Sequence, residues 1–142
     1  DTFDETLWRE IVSSFPHTPV ELLARTLKDL LADTNRDGTL PRLILERKKA
    51  AIGFYVAFFD GLAKVVFPAL RPGFSRFCSD GNWDGFAEVV REGNRTAEGF
   101  TRTLSSIFRE GKARKDPAWV EKEIARRILD PLQDKKTGTD IS

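Results

Sequence analysis

Apolar residues recur along this chain at steps of three and four, the period that gathers side chains on one face of an α-helix. Phe3, Leu7, Trp8, Ile11, Val12 and Phe15 follow it within residues 1–15, and Asp1, Thr2 and Asp4 can cap the start. Pro16 and Pro19 interrupt the pattern, and Thr18-Pro19-Val20-Glu21 restarts it. Thr18 can accept from the backbone at Glu21, Glu21 can reach back, and a proline in the first turn gives up no needed donor. Leu22, Leu23, Leu27, Leu30 and Leu31 carry this second helix to about Asp33. After a polar turn, Thr39 can cap a third helix from Leu40 to about Phe67. Between Ala50 and Phe67 only Asp60 and Lys64 carry charge, and Phe54, Tyr55, Phe58, Phe59 and Phe67 crowd the segment with rings. A helix apolar on nearly every face has to be surrounded by other elements or by lipid. Its uncharged run, Ala50 to Phe59, is about half of the roughly 20 residues a bilayer span needs. The pattern therefore predicts a buried centre.

Pro68, Pro72 and Gly73 close that segment, and Phe74, Phe77 and Cys78 predict a short apolar turn or helix. From Trp83 a regular stripe follows through Phe86, Val90, Gly93, Ala97, Phe100, Leu104 and Ile107, alternating steps of three and four. Its small middle allows another helix to cross closely, and its continuity predicts one kinked helix rather than two. Asp116-Pro117 repeats the cap-plus-proline device and opens a last helix through Trp119, Val120, Ile124, Ala125, Ile128 and Leu129, which Pro131 should stop. No strand alternation of useful length and no internal repeat is present. The prediction is an all-α, single-domain bundle of five or six helices packed around a central hydrophobic helix at about 40–67. Residues 1–132 would form the bundle and 133–142 a polar flexible tail.

Composition sharpens this picture only in part. Of 142 residues, 40% are apolar and 32% charged, the balance of an ordered domain rather than a disordered one. The 23 basic and 22 acidic residues leave a net charge of +1, which argues for no particular partner and lacks the clearly basic footprint usual in a nucleic-acid binder. The distribution is uneven: residues 1–38 hold eight acids and four bases, residues 39–78 two acids and seven bases. That contrast reads as internal complementarity. Cys78 is the one cysteine, so neither an intramolecular disulfide nor a thiolate metal cluster can form, and a small buried hydrophobe is its default role. With no apolar leader at the start, the expected setting is intracellular and cytoplasmic. From the start at Asp1 and the lack of methionine, a processed or trimmed end is expected.

Chemistry-bearing patterns are few. Asp33, Asn35 and Asp37 followed by Gly38 match the opening of a calcium-binding loop, but the twelfth position is Ile44 where a bidentate glutamate belongs. The loop is therefore expected to be a helix-connecting turn, and no metal or other cofactor is expected. His17, between two prolines, is the single histidine and cannot make a zinc site alone. Asp80, Asp84, Glu88 and Glu92 recur every four residues, without the Glu-x-x-His pattern of helical di-metal sites. They read as a solvated face with Arg91 and Arg95 available for ion pairs.

Gly81-Asn82-Trp83-Asp84-Gly85-Phe86-Ala87-Glu88-Val89 resembles a homology box of the helical-bundle apoptosis regulators, where a Trp-Asp pair opens a helix and the following Phe packs inward. That resemblance implies a bundle with a groove for a partner helix. The companion Asn-Trp-Gly-Arg run is missing, since the region reads Arg36-Asp37-Gly38-Thr39 and then Leu40-Pro41-Arg42. Asn82-Trp83-Asp84 is equally a helix cap, and that reading is preferred.

With no catalytic set, the leading expectation is a non-enzymatic helical protein-interaction or regulatory module with a protein partner and no nucleic acid. Trp8, Trp83 and Trp119, near helix starts, would anchor the partner. The alternative is an apolar small molecule held in a cavity lined by Phe54, Tyr55, Phe58, Phe59, Phe74 and Phe77, with Tyr55 or Asp60 fixing a polar group. Asp60 and Lys64, four apart, would form a surface ion pair or, if buried, mark a partner-facing polar site. The sequence leaves the oligomeric state open.

Overall fold

The computed structural model describes residues 4–134, which contain helices and connecting turns and no strand. In chain order the helices are α1 (Glu5–Ser14), α2 (Pro19–Thr34), α3 (Thr39–Leu45), α4 (Lys49–Ala57), α5 (Gly61–Val66), α6 (Leu70–Asp80), α7 (Trp83–Arg114) and α8 (Pro117–Ile124). The chain is all-α, as its periodicity predicts. The residues group into two compact units, one of residues up to Arg25 together with those from Gly99 onward, the other Thr26–Glu98.

In the first unit the caps fall where the sequence places them. The Asp4 carboxylate accepts from the Thr6 and Leu7 amides at 3.0 and 3.2 Å and opens α1; Phe3 lies outside the described residues. Thr18 Oγ1 accepts from the Glu21 amide at 3.4 Å. The Glu21 carboxylate reaches back to the backbone N–H of His17, an exposed residue with φ +62°. That bond first, and then the Arg25 guanidinium at 3.0 Å, hold the Glu21 carboxyl below its ordinary range. Leu7, Ile11, Phe15, Leu104, Ile107, Phe108, Val120, Ile124 and Ile128 are buried, with Phe15 edge-on to Phe108 at 6.3 Å. Asp116 accepts from the Trp119 amide at 3.1 Å and caps α8.

Pro131 does not stop the last helix, which runs on to residue 134. A π turn at Ala125–Leu129 precedes the proline, with the Asp130 amide bonding to Ala125 O. A proline in a regular helix clashes with the carbonyl four residues back. The wider turn at that carbonyl, Arg127, makes room for the ring. Of the predicted tail, 133–142, residues 133 and 134 are helical and the rest lie outside the described residues.

In the second unit the predicted helix at 40–67 is three helices, α3 to α5. At the first break the polar run Glu46-Arg47-Lys48 is a turn. Arg47 takes a left-handed φ of 57°, while the Lys48 and Arg47 amides bond to Leu43 O at 2.9 Å and Ile44 O at 3.1 Å. These bonds satisfy the last carbonyls of α3 as a Schellman-type end. The second break, Phe58 to Gly61, uses Asp60 in extended conformation and Gly61 at φ +63°. Arg71 donates to Val56 O and Ala57 O at 3.3 and 3.4 Å, adding a side-chain donor to the carbonyls at the end of α4. Nor do Pro72 and Gly73 end a helix: they lie in the first turn of α6, where proline is tolerated.

Nor is the segment enclosed on all sides. Ile52, Val56, Phe59, Val66 and Phe67 are buried, but Phe54 and Phe58 are 71% and 73% exposed. Cys78 is also exposed, against its expected burial. The core stripe lies on α7, which is unbroken and buries Phe86, Val90, Gly93 and Ala97 within this unit. Phe86 packs against Phe74 and Phe77 at 5.8 and 5.4 Å between ring centroids. The Gly85 amide donates to Asn82 Oδ1 at 3.0 Å, so the Asn-Trp-Asp run is a helix cap. Buried Thr34 donates to Leu30 O at 2.6 Å and accepts from Asn94 Nδ2 at 3.1 Å, joining the end of α2 to α7.

Candidate functional site

Within residues 26–98, α2 carries Asp29 and Asp33 four residues apart, and Phe54 of α4 stands four residues before Phe58, the residue that caps the end of α4. Residues at that spacing share a helix face. A groove of about 460 Å³ lies between them, completed by Thr26, Leu30, Tyr55, Phe59, Asp60 and Ala63. Leu30 and Phe59 are buried, and the Tyr55 ring stacks on Phe59 at 5.7 Å. The Phe54 and Phe58 rings contact each other at 5.4 Å between centroids and stand open to solvent.

One carboxylate of the groove is held firmly. Tyr55 donates its hydroxyl to Asp33 Oδ2 at 2.8 Å, and Thr39 donates to Asp33 Oδ1 at 3.0 Å. Burial, then the hydrogen bond to Asp33, then the negative charges of Asp33 and Asp29 push the Tyr55 hydroxyl far above the ordinary tyrosine range. Tyr55 is therefore a neutral donor, which suits binding and not proton abstraction. Three carboxylates border the groove, and among the described residues its lining contains no lysine or arginine. The chemistry on offer is an apolar wall beside negative charge.

The loop Asp33, Asn35, Asp37 is a turn. Both Asp33 oxygens accept from hydroxyls, and Asn35 Oδ1 accepts from the Asp37 amide at 2.8 Å. Among the described residues no three His, Cys, Asp or Glu side chains are grouped to hold a metal ion. Gly38 is required there, since a Cβ would stand 2.3 Å from Ala32 O.

Of the predicted cavity residues, Phe54, Tyr55, Phe58, Phe59 and Asp60 come together, while Phe74 and Phe77 belong to the ring cluster around Phe86. Asp60 and Lys64 are both exposed, so the buried-pair possibility does not arise. Trp8, Trp83 and Trp119 are each half-buried, Trp83 in the second unit and the other two in the first. Arg47 lies over Trp83 at 4.8 Å and Arg114 over Trp119 at 4.5 Å, covering those rings with cations. The ladder Asp80, Asp84, Glu88 and Glu92 is exposed, with Glu88 on Arg91 and Arg95 at 2.7 and 3.2 Å and Glu92 on Arg95.

Asp29 and Thr26 were not among the expected site residues. The signal for Asp29 was its four-residue spacing from Asp33, a repulsive pair in the last turns of a helix. No curated protein matches this chain, and no solved structure does. A family signature matches residues 1–127, and the chain belongs to that family, described as the C-terminal domain of the family of unknown function DUF6866.

Proposed function

We propose that this chain is a helical protein-interaction module whose contact surface is the Phe54–Phe58 edge at the end of α4 with the groove beside it. The observation that carries the reading is the exposure of both phenylalanines, 71% and 73%, while their rings touch. Fully burying one such side chain is worth about 1.5–3 kcal/mol, so two adjacent exposed rings are natural anchors for a partner. The tryptophans serve less well, because Trp83 and Trp119 are already covered by arginines. The exposed thiol of Cys78 favours an intracellular, cytoplasmic setting, where it would stay reduced. The near-neutral charge favours protein over nucleic acid as the partner.

A photo-crosslinking side chain at position 58, compared with one at Leu45, which is also exposed, tests this in the native host. One partner captured at 58 in fixed stoichiometry, and not at 45, is the expected result. Equal capture at both positions, or none, overturns the proposal.

The volume of the groove supports a second reading. About 460 Å³ falls within the range of small-molecule sites, so an apolar ligand could lie on Phe58 and Phe59 with a polar group at Asp60 or Tyr55. Native mass spectrometry separates the two, through a retained mass of small-molecule size in one case and a protein partner in the other.

A further inference from the structure

We infer that the groove receives a lysine or arginine side chain of the partner polypeptide, an inference that rests on the interaction reading above. The charge arrangement is the reason. Elsewhere several of the chain's acids pair with a basic side chain, as in Glu21 with Arg25, Glu88 with Arg91, Glu110 with Arg114, Glu123 with Arg126 and Glu10 with Lys112. Three carboxylates at one groove receive none from its lining among the described residues. Asp29 and Asp33 moreover repel each other across one helical turn. A cation entering the groove relieves this repulsion.

The remaining features fit the same guest. Asp33 is oriented by the Tyr55 and Thr39 hydroxyls, so it presents a fixed acceptor. The rings of Phe54 and Phe58 offer a flat apolar wall to the methylene stem and a favourable π face to the charged head. A wholly apolar partner would strip water from three carboxylates and return nothing to them. An acidic partner would be repelled. A bound metal ion has no cluster of three ligands to hold it among the described residues.

The test is a ¹⁵N NMR titration of the whole chain with three blocked peptides, Ac-Ala-Leu-Arg-Leu-Ala-NH₂ and its citrulline and glutamate counterparts. The arginine peptide is expected to shift the amides of Asp29, Asp33, Tyr55 and Phe58 saturably, and to weaken as sodium chloride is raised. Replacing arginine by citrulline, or making the Asp29→Asn/Asp60→Asn variant, is expected to reduce affinity about tenfold. Equal binding of the citrulline peptide at Phe58 removes the basic-residue inference and leaves the interaction face standing. The inference also fails if calcium chloride alone reproduces the shifts, if the arginine peptide maps to another surface, or if no peptide saturates. Crosslinking at position 58 decides separately whether the interaction reading survives.

Discussion

The Phe67 ring occupies the place where a side chain on Gly93 would begin, a Cβ there standing 2.4–2.6 Å from three ring atoms. The close approach is what a glycine in the middle of the α7 stripe provides. Gly99, on the same helix, has nothing within 4 Å of its Cβ position. The two glycines therefore respond oppositely to alanine. Gly99→Ala gains helix propensity and should stabilise by up to about 1 kcal/mol. Gly93→Ala gains the same propensity but overpacks Phe67, and should destabilise by about 1–2 kcal/mol net. Adding Phe67→Leu to Gly93→Ala should recover part of that loss, seen as a positive coupling in urea unfolding. If both alanines shift stability in the same direction, the packing account is wrong.

Tyr55 and Asp33 make a second tie, 22 residues apart in sequence. Tyr55→Phe removes a hydrogen bond to a charged acceptor in a half-buried place, and should lower stability by about 1–2 kcal/mol. Thr39 remains on the other oxygen of Asp33, so the loss should not reach the level of a stranded buried charge. Asp33→Asn should cost less than Tyr55→Phe, because the amide oxygen can still accept from Tyr55. Urea midpoints for the two variants check this order.

The same pair sets an alkaline limit. The hydroxyl of Tyr55 titrates higher in the folded chain than the ordinary value of about 10, because burial and Asp33 disfavour the phenolate. Above pH 10 the unfolded chain releases a proton that the folded chain keeps, so stability falls as pH rises through that point and is flat below it. The slope attributable to this group is up to about 1.4 kcal/mol per pH unit. Tyr55→Phe should lack it, so the stability difference between the two proteins should shrink from pH 9 to pH 11. Tyr55 is the one tyrosine, so phenolate absorbance reports it directly and should appear together with unfolding.

These relationships separate what the sequence could reveal from what it could not. The caps at Asp4, Thr18 and Asp116 and the stripe from Phe86 to Ile107 are local patterns, and spacing alone displays them. The turn at Glu46-Arg47-Lys48 is not local in that sense. Arg47 adopts a conformation that is unfavourable for any residue with a Cβ, and its guanidinium stacks on Trp83, 36 positions away. A run of helix-forming residues gives no hint of it. The exposure of Phe54 and Phe58 was hidden for a related reason. An apolar run shows that burial would be favourable, not that a neighbour exists to cover every face. The groove became visible only when α2 and α4 were placed side by side, which brings Asp29 and Asp33 opposite rings that lie far along the chain.

Lys115 offers a cleaner case of the same backbone conformation. Its φ is 56° at the end of α7, where the Asp116 amide bonds to Gly111 O and the Lys115 amide to Lys112 O, both at 3.1 Å. This is the helix-ending position at which glycine is favoured, because a Cβ in the left-handed region costs about 1–2 kcal/mol. Glycine returns part of that gain through the greater freedom of the unfolded chain. Lys115→Gly should therefore stabilise by about 0.5–1 kcal/mol, a rise of roughly 2–4 °C in Tm for a chain of this size. Arg47→Gly relieves the same strain but removes the cation over Trp83, an interaction worth about 0.5–1 kcal/mol, so its net effect should be near zero. Calorimetry on the two variants compares identical backbone relief with and without a lost contact. A Lys115→Gly protein that melts lower than the parent would show that the left-handed turn is not where the strain lies.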